Sequence, residues 1–369
     1  MQLHNKKILI LSPNSWGDMQ ISKHHYSRCL AKLGNKVFFL NPPNLNSPLF
    51  KIEEVNENLF VIDYKPIFRG QNFIPRFLFN LLIKIQIKFI EHKIGNSIDI
   101  VWSFTTSIFY DLGWFSSKLK IFHPVDQLNS DDNIVANADI ALTCSNYILE
   151  EIRELNCSKH LIPHGLSTDF VEYTYDEWSS KKSFQICYVG NLFIKNLDRS
   201  LIRKVVNEHE MCSFHFIGAV EPKDSNISAW VTEESLEFID FLRKARNVKL
   251  HGKVPSNMIP SVINEMDAFL ICYTQDKSNV ISNSHKILEY LSTGRVVISS
   301  FVEHYENSDL IEMIKRDKKE DFISLFNSVL TNIEQYNCLE NQIKRKEYAF
   351  KNSYLAHLRK IEQLIIEYG

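Results

Sequence analysis

The sequence predicts an α/β protein of two Rossmann-like, doubly wound domains facing across a cleft, with helices at the carboxyl end. Three observations predict it. At 369 residues the chain is too long for one ordinary core, and two domains of about 150–200 residues are the natural expectation. Short apolar runs alternate with helical segments along most of its length, the mark of parallel βα units. The alternation lapses once, over residues 167–182, and then restarts.

In the first half, strands are expected at 7–11, 36–41, 59–64, 98–104, 120–122, 140–144 and 160–163, with helices at 24–33, 75–94 and 145–155. Gly34 ends the first of these helices. Pro42-Pro43 stops the second strand, because proline cannot donate to a ladder. Residues 167–182 turn polar and aromatic and form the expected linker. Beyond it come strands at 184–189, 213–218, 248–251, 268–273 and 296–299, and a helix at 198–208. From about residue 318 the pattern is helical, closing with a charged amphipathic helix over 341–367.

Composition narrows the class. A hydrophobic share of 44% and a charged share of 23% are those of a soluble globular protein. The net charge of −2 argues against general nucleic-acid binding. Residues 1–100 nevertheless carry 13 Lys/Arg against 7 Asp/Glu, so this quarter presents a basic face. Seven cysteines with no C-x-x-C pair read as reduced core residues of a cytosolic protein. The first residues read as a strand and not as a signal peptide. No run of about 18 uncharged apolar residues is present, which excludes a conventional membrane span.

The most informative stretch is Asn283-Ser-His-Lys-Ile-Leu-Glu-Tyr-Leu-Ser-Thr-Gly294, which leads into the apolar run Val296–Ser299. It reads as a short helix, with Ser282, Asn283 or Ser284 as its cap and Gly294 just past its end. Lys286 falls in the first turn, where the macrodipole disfavours a cation. A bound anion reverses that penalty, since free N–H groups and an ammonium together make a phosphate site. Glu289, three residues on, shares the face of Lys286. A phosphate clamp with a carboxylate one turn below suits the diphosphate and ribose of a nucleotide-sugar, with Ser284 and His285 beside it. A solvated surface Lys–Glu pair is the alternative.

Other candidates follow strands, where doubly wound sheets hold their ligands. In CYVGNLFIKN, Gly190 lets backbone approach a diphosphate, and Asn191 and Lys195 are donors to it; a plain strand-to-helix turn is the alternative. Tyr273 ends AFLICY and is placed to pack on nucleotide or sugar. In the first domain, KIFHPVD puts His123 and Asp126 at a strand end. Asp126 is placed to take a proton from an acceptor hydroxyl, or else to cap a turn. Asp18 is the reserve base, and His24 with His25 either contacts the acceptor or caps the helix. No carboxylate pair, H-E-x-x-H or Cys/His spacing calls for a metal, and no cofactor is expected. GxGxxG and GxxxxGK[ST] are both absent.

The helix at 75–94 places Arg76, Asn80, Lys84, Lys88 and His92 at every fourth position of an otherwise apolar cylinder. That pattern fits an interfacial anchor on anionic lipid, with Arg76, Lys84 and Lys88 as contacts. A helix buried against the sheet with a thin solvated edge is the alternative.

Together these residues resemble the GT-B glycosyltransferases, in particular family-four-like bacterial enzymes of surface polysaccharide synthesis. KKILILSPNSWGD is similar to the opening of the branch related to teichuronic-acid and xanthan glycosyltransferases, and HPVDQ resembles its Val-Asp-Asp segment. IPHGLSTDF resembles the turn before the interdomain linker, and SHKILEYLSTGRVVISS the donor-site helix. The resemblance implies an acceptor-binding domain at 1–166, a linker at 167–182 and a nucleotide-sugar-binding domain at 183–340. It further implies a carboxyl-terminal helix at 341–369 packed back on the first domain. It makes Glu289 the ribose ligand, Lys286 a phosphate or sugar contact, Gly190 and Asn191 part of the diphosphate loop, and Asp126 the candidate base. The family's first glutamate falls at Ile281, and its arginine after the glycine at Asn191, so retention or inversion stays open.

The expected activity is metal-independent hexosyl transfer from a nucleoside diphosphate sugar to a lipid-linked or saccharide acceptor, in polysaccharide or lipopolysaccharide synthesis. The protein would be cytoplasmic and peripheral on the inner face of the membrane, with no nucleic-acid partner. A GT-B-type nucleotide-sugar epimerase and a catalytically inactive scaffold beside an active transferase are the rivals.

Overall fold

The computed structural model describes all residues except 18–19, 69–73, 107, 127, 129–134, 225–230, 277–284 and 369. They form two compact units: Met1–His164 with Tyr354–Gly369, and Gly165–Ser353.

Unit 1 is built on eight strands. These are β1 (Lys7–Leu11), β2 (Lys36–Leu40), β3 (Phe50–Asn56), β4 (Leu59–Tyr64), β5 (Ile98–Ser103), β6 (Ser117–Phe122), β7 (Ile140–Thr143) and β8 (Ser158–Leu161). Their order is β3-β4-β2-β1-β5-β6-β7-β8, parallel throughout except for the antiparallel edge pair β3–β4. β3 escapes the sequence pattern because nearly all its residues face solvent, which leaves no apolar run to read. The central strands are buried on both faces, as parallel strands between helical layers must be. Helices Ser22–Lys32 and Tyr354–Tyr368 pack with one face, around Ile8, Ile10, Tyr26, Trp102 and Leu358. Helix Arg76–Lys93 covers the other through Phe79, Ile83, Ile87 and Ile90.

Unit 2 carries β9 (Gln185–Val189), β10 (Ser213–Ile217), β11 (Val248–Gly252), β12 (Ala268–Ile271), β13 (Val296–Ser299) and β14 (Glu312–Met313). Their order is β11-β10-β9-β12-β13-β14, with every pair parallel. Apolar clusters again line both faces, as in a doubly wound sheet.

Residues 167–182 pack as part of unit 2. Tyr175 Oη accepts from Ser292 Oγ at 3.2 Å, Trp178 Nε1 donates to Asp267 Oδ1 at 2.7 Å, and Arg295 donates to the Asp176 carbonyl at 2.8 Å. The charged carboxyl-terminal stretch is two helices, Leu339–Lys351 and Tyr354–Tyr368, and not one. The first stays in unit 2, where buried Arg345 donates to the carbonyls of Gly294, Leu310 and Tyr336. Only the second belongs to unit 1. Among the described residues no helix is long and apolar enough to cross a membrane.

Candidate functional site

Topology selects where to look. In unit 2 the chain lays β9, β10 and β11 to one side, then returns to start β12 beside β9 and continues outward. The switch point therefore lies between the carboxyl ends of β9 and β12, where the diverging loops leave a crevice. Gly190 follows β9, and Cys272-Tyr273 follow β12.

Gly190 has φ +155°, a conformation that L side chains rarely adopt. A Cβ there would overlap Lys286 Nζ and come within 2.9 Å of Tyr188 Oη. Gly218, after β10, also has φ +155°, and a Cβ on it would overlap the Gly190 carbonyl. Two adjacent strands thus end in glycines because their backbones nearly touch.

Helix His285–Ser292 supplies the charges. It is tied to β9 by Tyr290, whose Oη accepts from Val189 N at 2.8 Å, and whose ring stacks on Phe269 at 4.4 Å. Ile287, Leu288 and Leu291 are buried, and Lys286 and Glu289 are half-buried on the remaining face. Lys286 Nζ donates to Tyr273 Oη at 3.2 Å and lies 5.3 Å from the Tyr188 ring centre. Burial opposes its charge, but Tyr188, Tyr273 and Glu289 outweigh burial and hold its pKa above the ordinary lysine value. Burial pushes the Glu289 carboxyl from 4.5 up to about 7, against the pull of Lys286. The Glu289 side chain is 18% exposed, with His285 Nε2 3.9 Å from Oε1. Gly294 closes the helix at φ +81°.

Three further residues complete this region. Asn191 Oδ1 accepts from Phe193 N at 3.0 Å, so its carbonyl shapes the turn after β9. Lys195 is exposed on the same loop. Arg199 is buried and donates to the carbonyls of Leu192 at 3.2 Å and Ile194 at 2.7 Å, pinning the loop from beneath. Ser284, like the cap candidates Ser282 and Asn283, lies outside the described residues.

Sequence reading missed Tyr188, Tyr290 and Arg199. Tyr188 had one signal, an aromatic two residues before a strand-end glycine. Arg199 read as an ordinary helix residue, since nothing in one sequence marks a guanidinium that folds back on the preceding loop.

In unit 1 the corresponding switch point lies between β1 and β5. His24 is 1% exposed; its Nδ1 accepts from Ile21 N at 3.2 Å, its Nε2 contacts the Ser15 carbonyl at 3.2 Å, and its ring stacks on Phe39. Of the two roles open to it, His24 takes the helix cap. Burial pulls its pKa down to about 4. His123 is 1% exposed, accepts from Trp102 Nε1 at 3.3 Å, stacks on Phe104 and is driven down to about 3, first by burial and then by His164 and His357. Both rings therefore lie in the core of unit 1, not on an open acceptor face. Asp126 is exposed, three residues beyond His123. Its charge opposes the burial that lowers the pKa of Lys23. Asp18 lies outside the described residues.

On helix Arg76–Lys93, Arg76, Lys84 and Lys88 are exposed. Arg76 stands over the Tyr110 ring at 5.6 Å and Lys84 over the Trp114 ring at 5.7 Å. Beside them Phe77 is 77%, Leu81 54% and Ile85 49% exposed. Among the described residues no group of three His, Cys, Asp or Glu side chains is placed to hold a metal ion.

No protein-family model and no curated protein matches the chain. Solved structures do. A sucrose-phosphate synthase from Thermosynechococcus elongatus is 14% identical, with 98% of each chain covered and a TM-score of 0.66. HepE from Anabaena, in complex with UDP and glucose, is 12% identical over 98% of this chain and 99% of that one, TM-score 0.64. The catalytic domain of Starch Synthase IV from Arabidopsis thaliana, bound to ADP and acarbose, is 12% identical over 99% of both, TM-score 0.63. At these identities the likeness establishes the fold: the chain has the GT-B architecture of two Rossmann-like domains.

Proposed function

We propose that the chain is a glycosyltransferase that moves a hexose from a nucleoside diphosphate sugar to a lipid-linked or saccharide acceptor, in cell-surface polysaccharide or lipopolysaccharide synthesis. The observation that carries this reading is the crevice at the β9–β12 switch point, where Gly190, Lys286 and Glu289 converge. A diphosphate fits against the bare Gly190 backbone, with the Lys286 ammonium and the start of helix His285–Ser292 meeting its charge. As the sugar–phosphate bond breaks, negative charge grows on the leaving diphosphate, and these same groups stabilise it without a metal ion. Glu289, once ionised, accepts from the two ribose hydroxyls. Tyr188 and Tyr273 hold the ammonium in place.

Asp126 is assigned as the general base toward the acceptor hydroxyl, which makes the reaction a direct displacement with inversion. The resemblance to the teichuronic-acid and xanthan branch supports the polysaccharide setting, as does helix Arg76–Lys93. Its exposed Phe77, Leu81 and Ile85 beside Arg76, Lys84 and Lys88 suit peripheral contact with the anionic inner face of the cytoplasmic membrane.

Thermal shift with nucleoside diphosphates tests the reading, starting from UDP and ADP, the nucleotides in the HepE and Starch Synthase IV structures. At 100 times its dissociation constant a true ligand stabilises by about 2.7 kcal/mol. No shift with any nucleoside diphosphate would favour an inactive scaffold. Epimer formation from a UDP-sugar without acceptor would favour the epimerase.

A further inference from the structure

Of the four edges of the two sheets, one is built differently from the rest. β8 and β11 carry lysine and histidine but no acidic residue, and β14 is two residues long. β3 carries both signs two residues apart. Lys51 and Glu53 share a face, 54% and 57% exposed, with Nζ 2.5 Å from Oε2. Ile52 between them is 38% exposed, and Leu49 just before the strand is 60% exposed. Lys51, Ile52, Glu53 and Glu54 form an unbroken exposed run, and among the described residues no strand lies on its far side.

The hydrogen-bond parity of this edge follows from its neighbours. In β4 the carbonyls of Ile62 and Tyr64 accept from Asn41 N and Asn44 N on the β2 side, so the N–H and C=O groups of its odd residues turn toward β3. Lys65 N accordingly donates to the Leu49 carbonyl at 3.3 Å. With Lys51 opposite Asp63 and Glu53 opposite Val61, the odd residues of β3 are committed to β4. Phe50, Ile52 and Glu54 therefore aim their N–H and C=O groups at the open edge.

Charges on an edge ordinarily deter pairing, but here their alternation admits one register. A two-fold axis at residue 51 would set lysine against lysine, and one at 53 or 54 would set glutamate against glutamate. One at 50 would set Ile52 against Pro48, which has no N–H. An axis at Ile52 sets each Lys51 against Glu53 of the other copy. Ile52 then faces Ile52, and Phe50 faces Glu54, as hydrogen-bonded pairs. Lys51 and Glu53 fall at the non-hydrogen-bonded pairs between them, where side chains approach closest. Each lysine keeps its own Glu53 and gains a second carboxylate.

From this we infer that β3 docks, antiparallel, on β3 of a second copy of this chain, with the axis at Ile52, joining two unit 1 sheets into one. Such a contact is isologous, each surface being its own complement. It goes beyond the transferase reading and does not depend on it.

Sedimentation velocity of the full chain over a concentration series tests the pairing. The wild type should pass reversibly from monomer to dimer, and the dimer should weaken as salt rises, because its charges are exposed. Lys51→Glu and Glu53→Lys should each weaken it about tenfold or more, with thermal midpoints alike. An equimolar mixture of these two variants should restore it, since an acidic strand then meets a basic one. Ile52→Pro removes the central outward N–H, leaves every charge in place, and should abolish it. A wild type that stays monomeric at every concentration overturns the inference. So does a dimer that both charge variants retain, which would place the contact elsewhere, as on the exposed ridge of helix Arg76–Lys93. Failure of the mixed variants to associate, or an undiminished dimer in a folded Ile52→Pro protein, overturns it equally.

Discussion

The two units place different chemistry at the same topological position. At its switch point unit 2 uses glycines at φ +155° and a pair of opposite charges that partly offset each other's burial. Unit 1 has buried imidazoles held neutral by desolvation, and a buried lysine whose ammonium has no hydrogen-bond partner among the described residues. In unit 2 a bare glycine backbone and a buried ammonium stand together at that position, the combination that the proposed diphosphate would need. The lesson is that a shared fold fixes where a ligand sits, while the residues after each strand decide which ligand it is.

Variants can break that division of labour. The largest effect is expected for Gly190→Ala, because the new methyl meets Lys286 and the backbone conformation is strained by about 1–3 kcal/mol. Nucleotide binding should become undetectable by calorimetry; retained binding would mean the diphosphate does not approach Gly190. Asp126→Asn comes next, with turnover down about 10²-fold or more and nucleotide affinity unchanged. Near-normal turnover would remove Asp126 from the chemistry, and weakened UDP binding would place donor in unit 1.

Glu289→Gln sharpens the comparison through pH. The carboxyl titrates at about 7 when folded against an ordinary 4.5, so burial costs stability as pH rises through that window. Glu289 therefore contributes a loss of stability from about pH 4.5 to 7, opposed over that range by the gain from buried His24 and His123, and Glu289→Gln should remove that contribution, read as the difference between variant and wild type. Nucleotide affinity should move oppositely, strengthening as pH rises through about 7, because only the carboxylate accepts from both ribose hydroxyls. In the variant the pH dependence should vanish, with affinity about tenfold lower at pH 8. A flat wild-type profile would remove the ribose assignment. The smallest effect is expected on lipid: Lys84→Gln or Lys88→Gln alone should weaken binding to anionic vesicles by about 1 kcal/mol. Unaltered partitioning would leave helix Arg76–Lys93 as a core element only.

The fold was largely legible because buried parallel strands leave unmistakable apolar runs; β9, with four buried residues in succession, is typical. The solvent-facing edge strand β3 left no such run. The helix carrying Lys286 and Glu289 was legible from its apolar positions and closing Gly294, and a cation in a first turn is the local conflict that makes the pair a candidate. His24 was not, since a histidine sequence cannot say whether its ring caps a helix or faces a ligand. The break between the last two helices was also hidden, as Asn352-Ser353 interrupts an otherwise continuous charged pattern. Tyr188 acts on Lys286 and Arg199 on the Leu192 and Ile194 carbonyls, contacts that spacing in one sequence does not reveal.

Calorimetric titration of UDP and ADP into the wild type and Lys286→Met is the most direct test. Methionine keeps an unbranched side chain of similar bulk and removes the ammonium together with its hydrogen bond to Tyr273. At least one nucleotide should bind the wild type and bind the variant more than tenfold more weakly, with thermal midpoints alike. Equal affinity for both proteins, or binding of neither nucleotide by the wild type, would contradict a diphosphate held at Lys286.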